Sequence, residues 1–315
     1  MGLALATVLL GFFPNVQAER GRDLMATTVT RILSAATSGN PELGNQVLSI
    51  ENGYDALLLR VHLIRQAQRS IDLQTFIWTN DECGRLMICE LVEAARRGVR
   101  VRIIADHMVS DKNPEVGAFL ATVNPNLEVR HYRPIMERLN PPLWQKITSA
   151  AFGFHGINQR MHNKLMVVDG QVMLTGGRNI ENTYFNHSTG MNFRDRDVLA
   201  VGPVAAAADA SFVEYWDFKH TVASVDLKDV AAVIAAGDFP HYESRADYEF
   251  GGFFDAMNRE ADDPDLMRAR FWDRLREVDR ARFVHDDPGK GRGFRSSDSR
   301  TTVELRQQLN RRVER

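Results

Sequence analysis

The sequence predicts an α/β domain with a mixed central β-sheet flanked by helices on both faces, followed by a C-terminal helical appendage. Three observations carry that expectation. Residues 70–103 alternate between the two-residue period of strands and the 3.6-residue period of a helix. Asp169-Gly170 separates two β-type runs, 161–168 and 171–175, which is a hairpin signal. Beyond about residue 220 the character changes, and Phe271, Leu275 and Val278 mark an amphipathic helix.

Taken in order, the chain begins with an apolar run from Leu3 to Phe13, then Val16-Gln17-Ala18, a pattern similar to a signal-peptidase site. About 11 apolar residues fall short of the ~20 that a spanning helix needs. Residues 1–18 therefore read as a signal-like or membrane-anchoring segment, and 19–54 as an N-terminal linker. Asp55 is placed to cap a helix carrying Leu57, Val61 and Ile64. Ile71 to Trp78 has strand periodicity, and Ile88, Leu91, Val92 and Ala95 return to helical spacing. Arg96-Arg97-Gly98 ends that helix, and Val99, Val101 and Ile103 resume a strand. A strand, a crossover helix and a strand in that order predict a parallel pair. Leu127–Tyr132 and Asp197–Val201 read as further strands, and Ala205 to about Tyr215 as a helix. The domain is bounded at 55–220, the appendage at 221–285, and 286–315 reads as a linker and the start of a second half.

Composition narrows the function classes. A chain of 315 residues with 44% apolar content can bury a large core, and a formal net charge of −2 gives no global attraction to a polyanion. That argues against nucleic acid as the partner. Cys83 and Cys89, on one helix, suit neither a zinc cluster nor a disulfide framework, and packing accounts for them better. The basic tail from Lys290 onward fits a solvated helix face or a contact with anionic headgroups.

The chemistry concentrates in His162-Asn163-Lys164 and, beyond it, Asp169, Gly176-Gly177 and Asn179. On a strand, residues two apart face the same side, so His162 and Lys164 project together. An imidazole is a nucleophile near neutral pH, and a neighbouring lysine supplies fixed positive charge for phosphate oxygens. Gly176 and Gly177 permit close approach of a ligand, and Asn179 adds an amide donor. Such a site stabilises five-coordinate phosphorus through oriented donors and charge, so no metal or cofactor is implied. Asp169, at the turn, is out of phase with His162 and is expected to position its neighbours. A lone Gly-Gly is more often a turn than a phosphate cradle and a lone Asp-Gly is simply a hairpin, but jointly those readings leave the shared face of His162 and Lys164 unexplained.

This arrangement resembles the signature of the phospholipase D superfamily, H-x-K, four residues, D, six residues, G-G or G-S, x, N, at every fixed position. Ser70–Trp78, Gly84-Arg85-Leu86 and Ala94–Arg102 are also similar to bacterial cardiolipin synthase-type members. The resemblance implies a half-domain of that fold, with His162 as nucleophile or partner acid and Lys164 and Asn179 holding phosphate. Asp195 occupies the place of an acidic residue that orients the histidine, with Asp197 as the competing candidate. It implies phosphatidyl transfer or phospholipid hydrolysis through a phosphohistidine, on a phosphatidylglycerol-like substrate at a membrane surface of the bacterial envelope, inner membrane or periplasmic side. A homodimeric endonuclease of the same superfamily and an inert half-domain are the alternatives.

Members of the cardiolipin synthase type carry two such motifs, and only one is present in these 315 residues. The missing imidazole would come from a homodimer mate, a second half-domain in trans, or a C-terminal half that follows Arg315.

Overall fold

A computed structural model describes residues 16–35, 42–108, 110–145, 160–248 and 252–289. Nine strands form a single sheet: β1 Asn45–Ile50, β2 Ser70–Thr75, β3 Arg100–Asp106, β4 Leu127–Tyr132, β5 Leu165–Val168, β6 Val172–Gly176, β7 Asp197–Val201, β8 Thr221–Ala223 and β9 Arg276–Val278. Their order across the sheet is β8-β4-β3-β2-β5-β6-β7-β1-β9. β2, β3 and β4 run parallel, and every other pairing is antiparallel, so the sheet is mixed as expected. Helices cover both faces. They are α1 Val16–Ala35, α2 Gly53–Gln66, α3 Glu82–Arg96, α4 Pro114–Thr122, α5 Val204–Trp216, α6 Lys228–Ala236, α7 Phe253–Ala261 and α8 Pro264–Arg270.

The two faces carry separate cores, as alternation along each strand requires. Ile71, Leu73, Val101, Ile103, Met166 and Val168 face α2 and α3, whereas Ile104, Leu165, Val167, Met173 and Ala200 face α5. Burial runs around α2 because α1 and α7 cover its outer side: Leu57, Leu58 and Leu59 all have 0% exposure. Its N-cap is Asn52, whose side chain accepts from the Asp55 N–H at 3.3 Å, so the helix begins one turn earlier than expected with Asp55 as the cap. His62 on α2 docks the later helices: its Nδ1 is 2.9 Å from the Ala261 carbonyl, and Trp272 Nε1 donates to its Nε2 at 3.2 Å. Burial holds its imidazole down at about 4. Cys83 and Cys89 are buried free thiols, and burial pushes Cys89 up to about 12.

Three boundaries differ from the sequence reading. Residues 19–54 are not a linker: α1 occupies 16–35, and β1 pairs with β7 through Gln46↔Val201 to Ile50↔Asp197. Residues 221–285 are not purely a helical appendage, since β8 and β9 extend the sheet at both edges. The helix expected across Phe271, Leu275 and Val278 ends at Arg270, because Arg276–Val278 pair with Val47–Asn45. Ala18 lies within α1, while the apolar run Leu3–Phe13, the loop 153–159, and the tail from 290 lie outside the described residues.

Candidate active site

β5 begins at Leu165, so His162 and Lys164 stand in the extended segment just before the ladder, not within it. The reason is the neighbouring strand: Gln74↔Leu165 is the final pair, and β2 ends at Thr75. Extension nevertheless persists through Lys164, whose carbonyl accepts from Thr175 Oγ1 at 2.9 Å and from the Gly176 N–H at 3.4 Å. His162 and Lys164 meet on one side. Lys164 Nζ is 3.2 Å from His162 Nδ1 and 3.5 Å from Nε2, and it donates to the His162 carbonyl at 2.9 Å.

Phe76, at the end of β2, supports both groups. Its ring centroid is 4.5 Å from that of His162, and Lys164 Nζ lies 5.1 Å from it in a cation–π contact. Lys164 is 6% exposed while His162 is exposed, so the imidazole faces outward over a buried ammonium. Burial lowers the Lys164 amine to about 8, and the Asp195 carboxylate acts against that fall. A phosphate within reach of the imidazole would also be within reach of this cation.

Asn179 joins the same end of the sheet. The Ile77 N–H donates to its Oδ1 at 3.1 Å, which fixes the amide against the segment after β2. Gly176 and Gly177 are crowded by carboxylates: a Cβ on Gly176 would fall 2.1 Å from Asp197 Oδ1, and one on Gly177 would fall 2.1 Å from Asp195 Oδ1. Glycine at these positions therefore lets Asp195 and Asp197 close over the strand, and this is the close approach that the pair accommodates.

The two candidate acids separate by environment. Asp197 is fully buried in an ion pair with Arg60 at 2.8 Å and lies 3.5 Å from Arg178, a structural arrangement. Asp195 is partly exposed, accepts from the Arg196 N–H at 2.7 Å, and is the carboxylate that Lys164 feels. Asp169 does not join the group. Its carboxylate accepts from the Gln68, Arg69 and Ser70 N–H groups at 3.1, 2.7 and 2.9 Å, and seven extended residues put it about 20 Å from His162. Both Asp169 and Gly170 have positive φ, at 53° and 69°, in a turn closed by the Gln171 N–H to the Val168 carbonyl.

Three further residues position the site without having stood out in the sequence. Asp106, at the end of β3, accepts from Arg160 Nε at 3.0 Å and from the Met161 N–H at 3.1 Å, pinning the residues that lead into His162. Its only sequence signal was its place at the end of a strand run. Arg178 is buried and donates to the carbonyls of Ile50, Glu51, Tyr184 and Asp195, tying the end of β1 to two points of the β6–β7 connection behind Asn179. Phe76 was visible only as one alternating position.

Comparison with known proteins follows the same segment. The family model described as cardiolipin synthase, PLD-like domain, matches residues 61–216. An uncharacterized protein of Helicobacter pylori strain J99 is 37% identical over 200 residues, covering 64% of this chain and 39% of the relative. Cardiolipin synthase C of Escherichia coli strain K12 is 38% identical over 183 residues, covering 58% of this chain and 37% of the relative. The chain thus spans less than two-fifths of the length of these relatives. Among solved structures, the phospholipase D family member Nuc from Salmonella typhimurium is 18% identical with a TM-score of 0.41, covering 57% of this chain and 97% of that one.

Proposed function

The chain belongs to the phospholipase D superfamily, in its cardiolipin synthase-like branch, and on that premise we propose that His162 is the nucleophile of a phosphatidyltransferase or phospholipase. The imidazole attacks phosphorus, the bond from phosphorus to the alkoxide oxygen breaks, and a phosphohistidine forms. A second imidazole protonates the departing alkoxide. That group then deprotonates an alcohol or water, which attacks phosphorus and releases His162. Attack on the phosphohistidine by an alcohol completes transfer, and attack by water completes hydrolysis.

The observation that supports this reading best is the pairing of an exposed imidazole with a buried ammonium 3.2 Å away. An ammonium held there offsets the charge that gathers on the non-bridging oxygens as phosphorus becomes five-coordinate. Asn179 contributes an amide to the same oxygens, and Asp195 keeps Lys164 cationic. The second imidazole comes from outside the 315 residues, through a second copy, a partner chain or further sequence. The substrate is a phosphatidylglycerol-like lipid at a membrane surface of the cell envelope. No helix among the described residues is long and apolar enough to cross a membrane.

The test is turnover of phosphatidylglycerol by the purified chain, wild type beside His162→Ala, with the mass in solution measured on the same preparation. Activity that tracks a dimer and vanishes in the variant supports a composite site built from two copies. Equal activity in the two proteins sinks the assignment of His162.

A further inference from the structure

We propose that Gln74 is a positioning residue of this site, whose buried carboxamide pairs with that of Asn163 and holds the His162 segment in place as phosphorus becomes five-coordinate. The proposal deepens the function given above and rests on it for the reaction. Gln74 lies in the middle of the sheet, paired with Leu165 of β5 on one side and Ile104 of β3 on the other. Those two residues belong to the core under α5, so Gln74 faces α5 as well. It is 1% exposed, and neither its Oε1 nor its Nε2 has a hydrogen-bond partner among the described residues. No other described side chain has two such buried atoms.

A position walled by Leu and Ile suits an apolar residue, and an unpaired carboxamide there lowers stability. Its surroundings leave one direction for a partner. Asp72, two residues before it, accepts from Arg102 at 2.6 and 2.8 Å, and Asp106 accepts from Arg160 at 3.0 Å, so the nearby charges are already matched. Ser211 on α5 is buried with its Oγ unpaired, but a single hydroxyl cannot serve both the donor and the acceptor of a carboxamide. A second carboxamide can. Asn163 stands two residues from Leu165, on the same side of the extended segment, in the diagonal relation to Gln74 that long side chains span at about 7–8 Å. It faces α5, where Tyr215 feels its carboxamide. The Tyr215 hydroxyl donates to the Asp286 carbonyl at 2.8 Å, which leaves only its lone pairs for an Asn163 N–H. The Asn163 oxygen and second N–H then match the Gln74 Nε2 and Oε1. Because Asn163 sits between His162 and Lys164, such a pair fixes the segment from behind while both functional side chains face the phosphate.

The experiment compares wild type, Gln74→Met, Asn163→Ala and the double variant in the initial burst of nitrophenolate from bis(p-nitrophenyl) phosphate. Each single substitution is expected to slow the burst about tenfold at an unchanged half-saturating diester concentration. The double variant is expected to be no slower than Asn163→Ala, because every variant lacks the same contact. Gln74→Met is expected to melt no lower than wild type, since an apolar chain of similar shape replaces an unpaired carboxamide. Backbone hydrogen exchange over residues 161–165 is followed in parallel with vanadate, an anion that becomes five-coordinate when an imidazole adds to it. Vanadate is expected to protect these amides in wild type and not in Gln74→Met. An unchanged burst rate or a lower melting temperature in Gln74→Met, multiplied losses in the double variant, or equal exchange in the two proteins would overturn the assignment. A wild type with no burst would instead count against His162 as nucleophile, and the exchange comparison would still decide the role of Gln74.

Discussion

Lys164 joins stability to chemistry at a single position. Its amine is lowered from 10.5 to about 8 by burial, so the cation is present below about 8 and lost as pH rises through it. Activity is therefore expected to fall above about pH 8 in the wild type, and Lys164→Arg should move that fall to much higher pH, whatever its effect on rate. The same burial penalises the folded state at neutral pH, because the unfolded amine carries its proton at no such cost. Between about 8 and 10.5 the unfolded chain holds more protons, so the penalty shrinks as pH rises. Lys164→Met is expected to melt higher than wild type at pH 7, with the difference narrowing by pH 10, while activity is lost. A variant that melts lower at pH 7 would contradict the account of the buried amine. Asp169 gives the opposite pattern. Asp169→Ala gives up three hydrogen bonds from backbone N–H groups to a carboxylate and should cost about 2–3 kcal/mol in denaturant unfolding, with the rate per folded molecule preserved. Asn179 was singled out through the family resemblance, whereas the shared side of His162 and Lys164 was legible from spacing, because an extended chain puts alternate residues on one side even outside a ladder. Phe76, Asp106 and Arg178 were not, because their partners lie on other strands and loops.

At the scale of elements, the antiparallel block from β5 to β7 and the parallel block from β2 to β4 meet between β2 and β5, and the site sits where that junction frays. Runs with strong alternation or clear turn residues were legible, and Leu127–Tyr132 and Asp197–Val201 coincide with β4 and β7. β1 was hidden because Val47, Leu48 and Ile50 form a short run whose partner lies some 150 residues away. The Phe271–Val278 helix failed because pairing of β9 with β1 overrides spacing that suits a helix. Asp197 ties β7 to α2 through Arg60, and Asp197→Ala should cost about 3–5 kcal/mol by leaving a buried guanidinium uncompensated. Three buried imidazoles set the acid limit. Burial holds His62, His107 and His131 at about 4, 4 and 3, so the unfolded chain takes up protons first as pH falls below about 6.5. Stability is expected to decline between about pH 6.5 and 4, approaching about 1.4 kcal/mol per pH unit for each imidazole. A melting temperature that stays level from pH 7 to 5 would contradict that, and His62→Gln should flatten part of the slope.

For the whole molecule, the proposed reading gives one motif at one end of the sheet a nucleophile, a cation and an amide, and assigns the acid that a poor leaving group needs to a second imidazole. That division makes the nucleophile testable by itself. A p-nitrophenolate departs without being protonated, so attack by His162 on bis(p-nitrophenyl) phosphate needs no second imidazole, whereas release of the phosphohistidine does. The decisive measurement is a rapid acid-free quench of the purified chain with this diester, followed by peptide mass mapping and counting of nitrophenolate. The account predicts a burst approaching one nitrophenolate per chain and a nitrophenylphosphoryl adduct on His162, both absent from His162→Ala. No burst above the variant, or an adduct on any other residue, would contradict it.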